Sequence, residues 1–129
     1  MTQKDYQPLT SLEAAVRNAV AGIGDEHDVL ADLLKSDICV PSASEVAANG
    51  TGLTPLLLNS ARFGASMILA YDDVRHLDPQ AVARAPHSLT VAGAWLVANM
   101  APGRGITVFV GAGIACELSP ALLAGARGG

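Results

Sequence analysis

The stretch ASMILAY, residues 65–71, decides which fold this chain can adopt. It is a nearly continuous apolar run, and Asp72 and Asp73 follow it directly. A strand with one solvated face alternates apolar and polar residues, whereas a strand covered on both faces reads as an unbroken apolar run. We therefore predict a central strand over 65–71, ended by the two aspartates, in a sheet with protein on both faces.

Two short helices are predicted ahead of this strand. Thr10 and Glu13 have the spacing of a capping box, and apolar residues recur behind them at helical intervals. This pattern predicts a helix over 11–21. The acidic run 25–28 then opens a second helix, because negative charges favour the positive end of the helix dipole.

The other predicted elements follow from short apolar runs and their caps. Strands are predicted over 38–41, 53–58, 106–110 and 114–118. Short helical segments are predicted from Asp73 to His76 and from Pro79. Longer helices are predicted over 91–100, with Thr90 as the cap, and over 120–126. Because helices do not alternate strictly with strands, we predict an α+β fold: a mixed, mostly antiparallel sheet of about five short strands packed by helices. We expect a flexible segment over 1–10, a single domain over 11–125 and a flexible tail over 126–129.

Composition excludes several classes of protein. The net charge is −4 and the eight lysines and arginines are scattered, so we predict no nucleic-acid binding. The longest apolar run, 89–101, has 13 residues and falls short of the roughly 20 that cross a bilayer. The N-terminal sequence is polar and unlike a signal peptide, which leads us to expect a cytoplasmic protein without a membrane span.

The glycines at 111 and 113 pose a choice between a phosphate cradle and a turn. A dinucleotide fingerprint needs a third glycine where this chain has Cys116, and it needs a helix where the chain continues as an apparent strand. We predict a turn between two strands, and no cofactor.

The two cysteines, Cys39 and Cys116, lie in apolar settings and are predicted to be reduced, although a disulfide between them stays open. Without a Cys/His cluster, we predict no metal site.

The densest polar cluster lies just after the central strand. It comprises Asp72, Asp73, Arg75, His76 and Asp78. A carboxylate beside a histidine can perform acid–base chemistry, but aspartates at a strand end also cap the next turn, and no nucleophile is paired with them. We predict no catalytic residues. Trp95 is predicted to lie in the core, with a contact surface for a partner as the alternative.

The order of elements resembles that of the SseB family N-terminal domain, named for enhanced serine sensitivity. The stretches that carry the resemblance are 12–16, 29–41, 52–56, 68–73, 94–100, 105–110 and 111–124. Residues 70–72 and 110–113 depart from the family's usual pattern. The resemblance implies a non-enzymatic binding or adaptor domain of bacterial origin, and it offers no catalytic residues to carry over.

Our leading hypothesis is therefore a protein-interaction module, of an adaptor, immunity or chaperone-like kind. Its expected contact surface comprises Tyr71, Asp72, Asp73, Arg75, His76, Asp78 and Trp95, with the edge strand over 53–58 as a further candidate. The alternative is a small-molecule sensor or enzyme with a polar pocket near Asp72, Asp73 and His76. A third hypothesis is a subunit of a homo-oligomer.

Overall fold

The computed structural model of the chain describes residues 10–128. Residues 1–9, most of the expected flexible N-terminal segment, and Gly129 lie outside the described residues. The α-helices are α1 Ser11–Val20, α2 Glu26–Leu34, α3 Pro79–Arg84, α4 Gly93–Asn99 and α5 Pro120–Gly128. The strands are β1 Asp37–Ser42, β2 Leu57–Ser60, β3 Ala65–Tyr71, β4 His87–Ala92, β5 Gly105–Phe109 and β6 Ala115–Leu118.

The strands form one mixed sheet in the order β4-β1-β3-β5-β6, and β2 also pairs with β3. Only the β3–β5 pair is parallel among these described strands, and all the others are antiparallel. The predicted α+β class with a mostly antiparallel sheet is confirmed.

β3 is the central strand that the apolar run predicted, with the same bounds. Ile68 and Ala70 face the main core, while Leu69 and Tyr71 face a second, smaller cluster on the opposite side. Residues of α1, α2, α4 and α5 fill the main core, whereas Ala81 of α3 packs into the smaller cluster. β3 is thus covered on both faces, which explains its unbroken apolar sequence.

Local capping determines where the first two helices begin. The Thr10 hydroxyl oxygen accepts a hydrogen bond from the Glu13 N–H at 2.9 Å, as expected of an N-cap. Asp25 and Asp28 form a complete capping box at the start of α2. Both predicted helices are therefore confirmed. α1 begins at the predicted residue and ends one residue before the predicted end at residue 21.

The helix predicted over 91–100 with a Thr90 cap is wrong in its first part. Residues 87–92 form β4, which pairs with β1 along six residues, and Thr90 lies within that strand. α4 begins only at Gly93, which is buried together with Leu96 and Val97. Pairing with β1 outweighed the local helical pattern, which is too short to distinguish a strand from a helix.

The strand predicted over 53–58 begins later than expected. Pro55 forms only an isolated bridge to Ser42, and β2 runs from Leu57 to Ser60. The turn after Ser60 contains Gly64 at φ 61°, a conformation that glycine adopts readily. This turn reverses the chain so that Ser60 of β2 pairs with Ala65 of β3.

The C-terminal part follows the prediction more closely. A short 3₁₀ turn, Gly111–Gly113, joins the antiparallel strands β5 and β6, so the glycines form a turn as predicted. Gly113 adopts φ 74°, which a glycine tolerates without strain. α5 continues to Gly128, through most of the segment expected to be a flexible tail. No helix within residues 10–128 has the length and apolar character to cross a membrane.

Candidate functional site

Asp72, directly after β3, is buried instead of lying at the surface. It is only 4% exposed. Its Oδ2 accepts a hydrogen bond from the Thr10 hydroxyl at 2.7 Å, and its Oδ1 lies 2.6 Å from Nδ1 of His76. Asp72 therefore ties the start of α1 to the 3₁₀ turn Val74–His76.

Glu13 extends these contacts to the β5–β6 turn. Its carboxylate is fully buried, lies 3.9 Å from Nε2 of His76, and accepts a hydrogen bond from Nε of Arg17 at 2.9 Å. Arg17 also donates from Nη2 to the carbonyl oxygen of Gly111 at 3.2 Å. We call Thr10, Glu13, Arg17, Asp72 and His76 the buried network.

The geometry of the buried network resembles a structural ion-pair cluster more than a reactive site. Both ring nitrogens of His76 face carboxylates, so neither is directed at an open cleft where a substrate could bind. Glu13, Asp72 and His76 each present a ligand atom within 4.8 Å of the others, which could hold a metal ion. However, the Arg17 guanidinium already bonds to the Glu13 carboxylate, and a cation nearby opposes binding of a metal.

Asp78 connects the end of β3 to α3. Its carboxylate caps the helix by accepting from the Ala81 N–H at 2.8 Å, and it accepts from the Tyr71 hydroxyl at 2.8 Å. These bonds hold the pKa of Asp78 below its ordinary value, whereas burial and then the bond to Asp78 raise the pKa of Tyr71. Tyr71 also stacks on Phe109, with ring centroids 5.3 Å apart.

Asp78 should contribute stability that depends on pH. Its lowered folded-state pKa means that this contribution is present above the unfolded value of 3.8 and is lost as pH falls through the folded value. We expect Asp78→Ala to lower the free energy of unfolding by about 1 kcal/mol at neutral pH, as loss of a cap does. Urea titrations at several pH values should show this difference shrinking below pH 3.8.

Asp78→Asn is the matched control, because it keeps a side-chain oxygen for capping but does not titrate. It should stay close to the wild type at neutral pH. A loss for Asp78→Ala that is equally large in acid would contradict the role assigned to this carboxylate.

Beside the buried network, residues 73–75 form a turn in which Val74 and Arg75 are exposed and Asp73 is half-buried. Arg75 donates from Nε and Nη2 to the two carboxylate oxygens of Asp73, at 2.8 Å each. This pairing holds the pKa of Asp73 well below its usual range. Val74, between them, is 57% exposed although it is apolar. We call Asp73, Val74 and Arg75 the exposed turn.

The exposed turn lies beside β4, the strand that the sequence did not predict. Asp73, Val74 and Thr90 line one small cleft of about 190 Å³. Among residues 10–128, β4 is at the end of the sheet and pairs only with β1.

With respect to the described residues, the backbone of β4 leaves N–H groups unpaired at this end of the sheet. The Gly93 N–H donates to the Ser36 carbonyl at 2.8 Å, and the same register pairs Val91 with Ile38. Since hydrogen-bonded and non-bonded pairs alternate along antiparallel strands, the N–H groups of Ser88, Thr90 and Ala92 point away from β1. All three residues are exposed. We call these three N–H groups the open edge of β4.

Trp95 lies elsewhere, on the helix-covered face. It is half-buried against the main core, and its ring packs against Gly50, where a Cβ atom would come within 2.8 Å of the ring. The structure thus brings together the predicted residues between Tyr71 and Asp78 at one end of β3, but Trp95 is not among them.

Cys39 and Cys116 are both free, and burial raises the pKa of each thiol.

The sequence did not identify Thr10, Glu13 and Arg17 as partners of Asp72. Thr10 and Asp72 are 62 residues apart, and the helical spacing of Glu13 and Arg17 indicates only a pair on one helix face. The one signal in the sequence was the position of Glu13 close to Leu12 and Val16 in the apolar pattern of α1.

Comparison with known proteins gives one family match. Residues 12–125 match the family model described as the SseB protein N-terminal domain. No curated protein and no solved structure matches the chain.

Proposed function

We propose that this chain, which belongs to the SseB protein N-terminal domain family, is a non-enzymatic domain that binds another protein. The setting we propose is the bacterial cytoplasm, and the role is of an adaptor, immunity or chaperone-like kind. A partner would add a strand along the open edge of β4 and contact the exposed turn.

The observation that carries the proposal is the character of β4. Proteins normally protect an edge strand with lysines, prolines or bulges, because unpaired backbone groups attract other strands. β4 has six residues, none of them Lys, Asp, Glu or Pro. An extended segment of a partner can pair with such an edge through main-chain hydrogen bonds.

The exposed turn supplies the means for selectivity. Val74 and Thr90 line the same cleft, so an added strand would place alternate side chains near an apolar residue on that face. The paired Asp73 and Arg75 at its rim offer polar contacts. Pockets for alternate side chains are what gives strand addition its specificity.

The alternative of a small-molecule site near Asp72, Asp73 and His76 has less support. Asp72 and His76 bond to each other at 2.6 Å, and Asp73 is held by Arg75. These polar groups are engaged within the fold, and a ligand would have to displace those contacts.

Thr90→Pro tests the proposal directly. Proline removes the outward N–H, and an edge strand tolerates this because the N–H at that position makes no bond to β1. We expect Thr90→Pro to lower affinity for a stoichiometric protein partner, obtained by affinity capture, by about tenfold, the equivalent of one lost hydrogen bond. Isothermal titration calorimetry measures the change.

Thr90→Val is the matched control, because it removes the hydroxyl but keeps the N–H and the β-branched shape. It should bind within about threefold of the wild type. Circular dichroism would confirm that both variants are folded. Equal binding by Thr90→Pro and Thr90→Val, with both folded, would overturn strand addition.

Light scattering distinguishes a foreign partner from a second copy of this chain, because self-association raises the molar mass measured for the chain alone.

A further inference from the structure

A cleft beside Trp95 is independent of the proposed protein-binding edge. It lies between α4, the loop that follows it and the segment around Leu53, with a volume of about 260 Å³. Its walls include Leu53, Ile68, Trp95 and Met100. Clefts with mostly apolar walls and a few polar groups are where small molecules bind in proteins.

Arg104 is the only charged residue that lines this cleft among residues 10–128. It is half-buried, and no described carboxylate lies within ion-pair distance of its guanidinium. Among the described arginines, Arg17, Arg62 and Arg75 each contact a carboxylate, whereas Arg84, like Arg104, does not, but Arg84 is exposed and lies outside this cleft. A cation in an apolar cleft is best satisfied by an anion that arrives with an apolar body.

The size of the cleft restricts the ligand further. At about 30 Å³ for a water-sized group, 260 Å³ holds roughly nine such groups. A single guanidinium presents a planar fork that matches a carboxylate with two parallel hydrogen bonds. The described residues that line the cleft include no second cation that would neutralise a doubly charged phosphate.

We propose that the cleft between Trp95 and Arg104 binds a small amphiphilic carboxylate, with its apolar chain against Trp95 and Met100 and its acid group on Arg104. The net charge of −4 disfavours non-specific binding of anions, so recognition would depend on this local arrangement. The proposal concerns a ligand site that neither the open edge of β4 nor the exposed turn shares.

Trp95 is the chain's single tryptophan, which makes its fluorescence a specific reporter for the cleft. We would titrate the wild type with octanoate, and with octanol and octylamine as probes of equal chain length but different charge. Octanoate should change the emission saturably and bind about tenfold more tightly than octanol. A hydrogen bond to a charged group contributes enough free energy to account for this tenfold difference in affinity. Octylamine should bind most weakly.

Arg104→Gln should reduce the affinity for octanoate to that for octanol and leave octanol binding unchanged. Arg104→Lys should retain part of the preference, because the charge remains but the planar fork is lost. Arg84→Gln is the matched control: Arg84 lines a different cleft, with Tyr71 and Phe109. It should not alter octanoate binding.

Three results would overturn the proposal. The first is an absence of saturable change in Trp95 emission with octanoate. The second is equal affinity of the wild type for octanoate and octanol. The third is an equal loss of octanoate binding in Arg104→Gln and Arg84→Gln, which would indicate a general effect of charge on the chain.

Discussion

Arg17→Met is expected to lower the free energy of unfolding by about 3 kcal/mol, at the lower end of what breaking a buried ion pair costs. The substitution preserves much of the side-chain length but removes the guanidinium that bonds to Glu13 at 2.9 Å and to the Gly111 carbonyl at 3.2 Å. The Glu13 carboxylate is fully buried, so water cannot replace that bond without opening the structure. Urea denaturation at neutral pH measures the loss.

Arg75→Met is the matched control for this prediction. The Arg75–Asp73 pair has an equally short contact, 2.8 Å, but Arg75 is largely exposed. Exposed ion pairs contribute little to stability, so its unfolding transition should coincide with that of the wild type.

A double-mutant cycle isolates the pair itself. Glu13→Gln combined with Arg17→Met should recover at least about 1 kcal/mol relative to the sum of the two single losses, since no buried carboxylate then remains beside the missing guanidinium. Strictly additive losses would show that the two side chains do not stabilise one another.

Gly93→Ala is expected to destabilise the chain by more than about 3 kcal/mol, the upper range for overpacking a core. A Cβ atom at Gly93 would overlap the backbone carbonyl oxygen of Leu33 at the end of α2. Backbone atoms cannot move aside as a flexible side chain can. The N–H of Gly93 also bonds to Ser36, which fixes the junction between β4 and α4 against that helix. Thermal unfolding followed by circular dichroism measures the effect.

Gly125→Ala is the control for the intrinsic effect of alanine. Gly125 lies in α5, and nothing is within 4 Å of a Cβ atom added there. The same substitution should therefore stabilise this helix by about 0.5–1 kcal/mol. A Gly93→Ala variant as stable as the wild type would mean that α4 does not approach α2 as closely as described.

The elements that the sequence predicted well are those with local signals. The hydroxyl of Thr10 and the carboxylates of Asp25 and Asp28 define the starts of α1 and α2 through hydrogen bonds within one helical turn. The apolar run 65–71 identified β3 because a strand buried on both faces needs no polar residue. Neither inference required knowledge of distant contacts.

β4 could not be identified in the same way. Its boundary with α4 has no turn residue other than Gly93, and the stretch from Leu89 onward suits either a strand or a helix. Thr90 and Val91 are β-branched, which favours a strand. The deciding factor was the pairing with β1, which lies about 50 residues earlier in the chain.

The buried network shows the same limit for functional residues. Asp72 and His76 were identified because they belong to the densest polar cluster, just after the central strand. Thr10 and Glu13, which surround them, belong to a helix more than 50 residues away, and only the folded chain brings α1 beside the end of β3. Consequently, the sequence indicated the location of the polar cluster but not that Asp72 within it is buried.

The most direct test of the proposed strand addition is amide hydrogen exchange, measured by NMR with and without the captured protein partner. The proposal predicts that the N–H groups of Ser88, Thr90 and Ala92 become protected in the complex, because they are the open edge of β4. The N–H groups of Leu89 and Val91 already point toward β1 and should change little. Unchanged exchange at Ser88, Thr90 and Ala92 in a saturated complex would contradict the proposed role of β4.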